Sequence, residues 1–183
     1  MIFFDRELWV YRAKKRHLKS RSKENSSHKK TNLVKDLEAI DKLEVLVAWC
    51  TGRKIEVVFA RRSNGYYSPD ERRAYISGRL CPENQLYFLL HECGHFLIGT
   101  GADPQARFGM GYPQTDATIK RSFHHKLDIF DEEMEAWWRG LKLATKLEIT
   151  VNRGSFDKER LQALHSYANW MVGKGDFEIE DDA

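Results

Sequence analysis

The most constraining feature of this sequence is a polar triad set inside an apolar run. Leu86, Tyr87, Phe88, Leu89 and Leu90 lead into His91-Glu92-Cys93-Gly94-His95, and Phe96, Leu97 and Ile98 follow. Pro82-Glu83-Asn84 ahead of the run is a helix start signal, and Gly99 and Gly101 behind it are stop signals. The run therefore predicts one helix ending near Ile98. A helix that is apolar on nearly every side is buried. Two histidines and a glutamate inside such a helix are costly unless they are bound to something.

The spacing says to what. His91 and His95 are four residues apart, so both imidazoles leave one face of the helix, one turn apart, and can grip one ion. Glu92 projects about 100° further round, beside that ion. One Zn²⁺ held by nitrogen and oxygen ligands, with one position open to water, is the catalytic arrangement such a pair serves. Zinc acidifies water, and a neighbouring glutamate can move the proton to a leaving amine. The pattern predicts a zinc site of the metallopeptidase type, with His91 and His95 as metal ligands and Glu92 as general base.

A catalytic zinc needs a third protein ligand. Asp131-Glu132-Glu133-Met134-Glu135 lie on the next long predicted helix. Phe130, Met134, Trp137, Leu141 and Ala144 fall within about 40° of one direction at 100° per residue, which predicts the core face of that helix. Glu133 lies about 60° from its centre, Asp131 about 100°, Glu135 about 140° and Glu132 about 160°. Glu133 borders the core and is the expected ligand. The other three acids are expected as a solvated helix start that complements the macrodipole. His124 and His125 are rival ligands. They, and Tyr112, could instead hydrogen-bond an oxyanion. Cys93 points elsewhere and is expected to pack.

Around this pair of helices the chain predicts an α+β domain. A helix begins at Leu33, where Leu33, Leu37, Ile40, Leu43 and Val47 recur at helical steps, and Gly52 stops it. Ile55 to Ala60 and Ala74 to Ser77 read as strands, separated by a turn at Ser63-Asn64-Gly65. Residues 101–115 hold Pro104, Gly109, Gly111 and Pro113 and predict a long loop. Helices then run from about Asp128 to Glu148 and from about Asp157 to Val172, the last with Ser155 as a cap. The fold class is α+β, a short β-sheet packed beside the histidine-bearing helix with further helices C-terminal to it.

Charge divides the chain further. Residues 1–30 carry ten Lys/Arg against three acids, which leaves the other 153 residues at net −4 within a total of +3. The expected layout is a basic, flexible arm over 1–32, one domain over 33–175 and an acidic tail over 176–183. Arg12, Lys14, Lys15, Arg16, Lys19 and Arg21 in the arm could track phosphates or dock on partner chains. The opening apolar run, Met1 to Phe4, is too short for a signal peptide or a membrane span. Three widely spaced cysteines give neither a disulfide framework nor a zinc ribbon. The expected compartment is cytoplasmic, with no membrane partner.

The helix QLYFLLHECGHFLIG, with the short strand AYIS before it, resembles the ImmA/IrrE group of minimal gluzincin-type metallopeptidases over about residues 33–148. The resemblance implies zinc at His91 and His95, catalysis by Glu92, and a third ligand within an ExxA pattern, here Glu133-Met134-Glu135-Ala136. Trp137 stands where that family commonly has asparagine, and the interval from His95 to Glu133 is long. Family members often cleave a regulator protein and occur on mobile elements and in phages. The resemblance thus implies a protein substrate and, for a phage protein, the host cytoplasm or the virion. An alternative is an assembly or virion-associated protein that keeps a metallopeptidase-like domain and uses its arm to bind partner chains or nucleic acid.

Overall fold

In a computed structural model the described residues are 27–61, 65–101 and 122–174, with side chains of the first helix from residue 33 onward. They form an α+β arrangement of four helices and a three-stranded sheet. The arm residues Arg12 to Arg21, Tyr112 and the tail over 176–183 lie outside the described residues. Among the described residues no helix is long and apolar enough to cross a membrane.

Helix α1 runs Ser27–Gly52, six residues longer at its start than the sequence predicts. Hydrophobic periodicity detects only the turns that bury, and the buried stripe of Ala39, Ile40, Leu43, Leu46 and Cys50 lies further on. After it, Lys54 takes a left-handed φ of 60°, and the Ile55 amide bonds back to the Cys50 carbonyl. The chain turns there into strand β1, Glu56–Ala60.

Strand β3, Arg73–Ser77, is central: it pairs parallel with β1 and antiparallel with β2, Tyr66–Ser68. Strand β2 escapes the sequence reading because three residues hold little more than one period of alternation. It occupies the connection that returns the chain parallel to β1, a crossover that usually takes about a dozen residues or more. In β3 Ala74 and Ile76 are buried and their neighbours are not, the alternation expected of a half-covered strand. Tyr66 and Tyr75 face each other in register and stack with ring centroids 4.6 Å apart.

Helix α2, Pro82–Gly99, starts where the sequence predicts, with proline in its first turn. Gln85 Nε2 donates to the Ser77 carbonyl at 3.1 Å, which ties the first turn of α2 to the end of β3. Helix α3, Phe123–Lys146, begins five residues before the expected Asp128. His124 and His125 therefore sit in its first turn, and Asp131 to Glu135 lie well inside it instead of at a helix start. Helix α4, Arg153–Met171, is capped by Asn152, whose side chain accepts from the Ser155 amide. Ser155 is the capped residue, not the cap, and the helix starts accordingly earlier than Asp157.

The chain divides into two compact units. The boundary falls between Leu90 and His91, and residues 147–149 return to the first unit. The first unit contains α1, the sheet and the first half of α2. The second contains the rest of α2, from His91, with α3 and α4.

Candidate metal centre

The second unit brings His91, Glu92 and His95 of α2 against Glu132 and Glu133 of α3. Close approach of the two helices depends on Gly94. A Cβ built on Gly94 would lie 2.0 Å from the Ala136 carbonyl oxygen and 2.6 Å from its carbon, so the backbones touch where any side chain would intervene. Arg139 of α3 reinforces the contact. Its Nη1 donates to the Leu97 carbonyl at 2.6 Å, satisfying one of the last carbonyls of α2, and its Nε bonds Glu135 at 2.8 Å. Glu135, expected as a solvated acid, thus holds the arginine that clamps the end of α2.

The buried face of α3 consists of His125, Glu133, Ala136, Trp137, Gly140, Leu143 and Ala144. At 100° per residue its centre is rotated by roughly 85° from the stripe the sequence predicts, and Glu133 lies within about 30° of it. Of the predicted stripe, Met134 is 40% exposed and Phe130 and Leu141 are only half-buried. The cause is the small residues. Ala136 and Gly140 carry little hydrophobic weight in a sequence pattern, yet both are buried, and Ala136 makes the close backbone approach to Gly94 that turns this face inward.

At the centre, donor atoms converge. His91 Nε2 and His95 Nε2 are 3.3 Å apart. Glu133 Oε2 lies 3.1 Å from His91 Nε2, and Glu133 Oε1 lies 3.3 Å from His95 Nε2. Glu92 is also within 4.8 Å of both imidazoles, but the nearer carboxylate is that of Glu133. The Glu133 carboxylate thus spans the two imidazoles, one oxygen against each nitrogen. Glu133 Oε2 is buried and, despite its proximity to His91, makes no aligned hydrogen bond among the described residues. His91, Glu92 and His95 form a group that could hold a metal ion, each offering one ligand atom within 4.8 Å of the others.

The electrostatics follow from burial. Desolvation raises the Glu92 carboxyl above its usual range, with His91 and His95 acting against the rise. Burial also favours protonation of Glu133, but the nearby His95 and His91 overcome it and hold the carboxyl well below its usual range. For His95 burial works downward, and the carboxylates Glu133, Glu132 and Glu92 reverse it and raise the imidazole well above its usual value. A cation between the imidazoles and Glu133 would take the place of that proton.

Two further residues at the site had no legible signal in the sequence. Glu132 Oε1 lies 3.3 Å from His95 Nδ1. A proton held on Nδ1 by that carboxylate leaves the Nε2 lone pair facing the centre. Its position, about 75° from the true centre of the buried face, is marginal where the predicted stripe put it on the far side. Tyr167 of α4 hydrogen-bonds Glu133, and burial first, then the charge of Glu133, pushes its phenol well above the usual range. Replacing Glu132 by Ala should weaken metal binding by about 10- to 100-fold without unfolding the chain. Competition against a chromophoric chelator measures it, and an unchanged affinity would remove Glu132 from the site.

The remaining candidates lie elsewhere. His124 is exposed. His125 is buried and its amide bonds the Ser122 hydroxyl, but neither histidine belongs to the donor group at His91 and His95. Cys93 is buried, as expected of a packing residue. Compared with known proteins, the chain matches no family model, no curated protein and no solved structure.

Proposed function

We propose that this chain is a zinc-dependent endopeptidase of the two-histidine, one-glutamate type, the class that its resemblance to the ImmA/IrrE group implies. The observation that carries the proposal is the convergence of His91 Nε2, His95 Nε2 and the Glu133 carboxylate at 3.1–3.3 Å, with Glu92 beside them and outside the closest contacts.

In this reading His91, His95 and Glu133 hold one Zn²⁺. The ion, when bound, supplies Lewis acidity: it acidifies water and polarises the scissile carbonyl. Glu92 takes a proton from the attacking water and delivers it to the amide nitrogen as the bond breaks. Glu132 keeps His95 in the tautomer with a free Nε2, and Tyr167 fixes the orientation of the Glu133 carboxylate. Burial of the cluster strengthens each of these interactions relative to water.

The proposal is tested by zinc titration and by cleavage of an unstructured protein such as casein. The unaltered chain should bind one zinc and cleave, with activity lost on chelation and restored by zinc. Glu133→Ala should weaken zinc by more than roughly 100-fold, beyond the range typical of an outer-shell residue. His124→Ala and His125→Ala should bind zinc as the unaltered chain does. If Glu133→Ala binds normally and a His124 or His125 variant does not, the ligand set is wrong. If zinc binds and nothing is cleaved under any condition, the site is a metal centre without peptidase chemistry.

A further inference from the structure

The two histidines occupy matching places on one helix, yet their surroundings differ. His95 has a carboxylate at its outer nitrogen, Glu132 at 3.3 Å. His91 has none: its Nδ1 is buried and has no hydrogen-bond partner among the described residues. What lies against His91 is the indole of Trp137, stacked with ring centroids 4.4 Å apart and planes 23° apart. Phe156 of α4 abuts the indole edge-on, 5.3 Å away at 79°. Trp137 and Phe156 are both almost completely buried.

We infer that Trp137 is a positioning residue for His91, holding the imidazole by its face so that Nε2 is presented to the metal. The inference rests on the metal reading given above. An imidazole beside a flat ring at stacking distance cannot turn about its Cβ–Cγ bond without driving an edge into that ring. Phe156 stops the indole from yielding. The geometry of the helix accounts for the arrangement: Trp137 follows Glu133 by four residues, so one face of α3 supplies the third donor and, a turn later, the wall behind His91. His95 is thus oriented by charge and hydrogen bonding, and His91 by shape.

The test compares two substitutions that both shrink the side chain, only one of which keeps an aromatic face. Trp137→Phe should hold zinc within about threefold of the unaltered chain. Trp137→Leu should weaken zinc by roughly tenfold, the lower end for loss of a group that orients a ligand. Cobalt(II) is the second probe, because its visible absorption reports ligand geometry. The spectrum should be retained in Trp137→Phe and altered in Trp137→Leu, with far-ultraviolet circular dichroism confirming that each chain is folded. Equal affinities and spectra in the two variants would overturn the inference and leave Trp137 as packing. If Trp137→Leu does not fold, Trp137→Met takes its place as the non-aromatic arm, and the same comparison with Trp137→Phe supports or overturns the inference. If the unaltered chain takes up neither zinc nor cobalt, the metal reading fails first, a result distinct from failure of the stacking role.

Discussion

Glu92→Gln is expected to leave zinc bound and to lower peptide hydrolysis by a factor of about 10²–10⁴, the range of a positioned general base. The substitution keeps the shape of the side chain and removes its basicity. Its buried position makes the outcome informative. A carboxylate within 4.8 Å of both imidazoles could serve as a fourth ligand and close the site, or could stand beside an open one. The two roles separate in a single variant. A ligand role predicts that zinc affinity collapses together with activity, whereas a general-base role predicts that affinity survives. Metal content measured after gel filtration, alongside casein cleavage, reads both quantities. Loss of zinc from Glu92→Gln would convert the peptidase reading into one of a structural metal site.

Gly94→Ala is expected to be strongly damaging to the second unit. The new Cβ would fall 2.0 Å from the Ala136 carbonyl oxygen and 2.8 Å from its Cα. Carbon–carbon contacts are most favourable near 3.5–4.0 Å, so α2 and α3 would have to separate by roughly 1 Å or more. No side-chain rotation relieves a clash with backbone. Overpacking typically costs about 1–3 kcal/mol, and a backbone obstacle places this case at the upper end. For a chain of this size the melting midpoint should fall by about 10 °C. Zinc affinity should fall with it, because the same displacement draws Glu133 away from His91 and His95. Gly99→Ala is the control: nothing lies within 4 Å of its added methyl group. That variant should be neutral or slightly stabilised, by up to about 1 kcal/mol, through reduced chain entropy. Equal melting midpoints for the two variants would show that the close approach at Gly94 carries no stability.

Much of the candidate site is legible in the sequence because it depends on local geometry. The i, i+4 spacing of His91 and His95 holds in any helix, and the apolar residues on either side require that helix to be buried. The start of α2 at Pro82 follows from equally local chemistry. The boundaries that shifted lie where local signals are weak. Helix α1 extends back to Ser27 through residues whose sequence has no hydrophobic periodicity, and α3 begins at Phe123 before its first recognisable apolar stripe. Strand β2 is three residues long and exists through its pairing with β3.

The conspicuous difference concerns α3. Its apolar residues predict one inward face, and the structure turns inward a different one. Phe123, Leu127, Met134 and Trp138 remain substantially exposed, while Ala136 and Gly140 are buried. Hydrophobic weight misleads here because the contact is governed by backbone distance, which favours the smallest residues. Glu133 was nevertheless expected near the core, since it lies between the two directions. Glu132 was not, and its approach to His95 follows only once the helix has rotated.

The opening motif marks the division. By itself the sequence determined that two imidazoles and a carboxylate would share one buried helix, because their spacing and apolar flanks are properties of the chain alone. Which groups meet them was decided by tertiary structure. Gly94 against Ala136 sets the distance between α2 and α3, and that distance brings Glu133 to 3.1 Å from His91, Glu132 to 3.3 Å from His95, and Trp137 flat against His91. The physical reason is reach. A side chain spans only a few ångströms, so whether a carboxylate can meet a histidine on another helix depends on how closely the backbones approach, a quantity that no local pattern records.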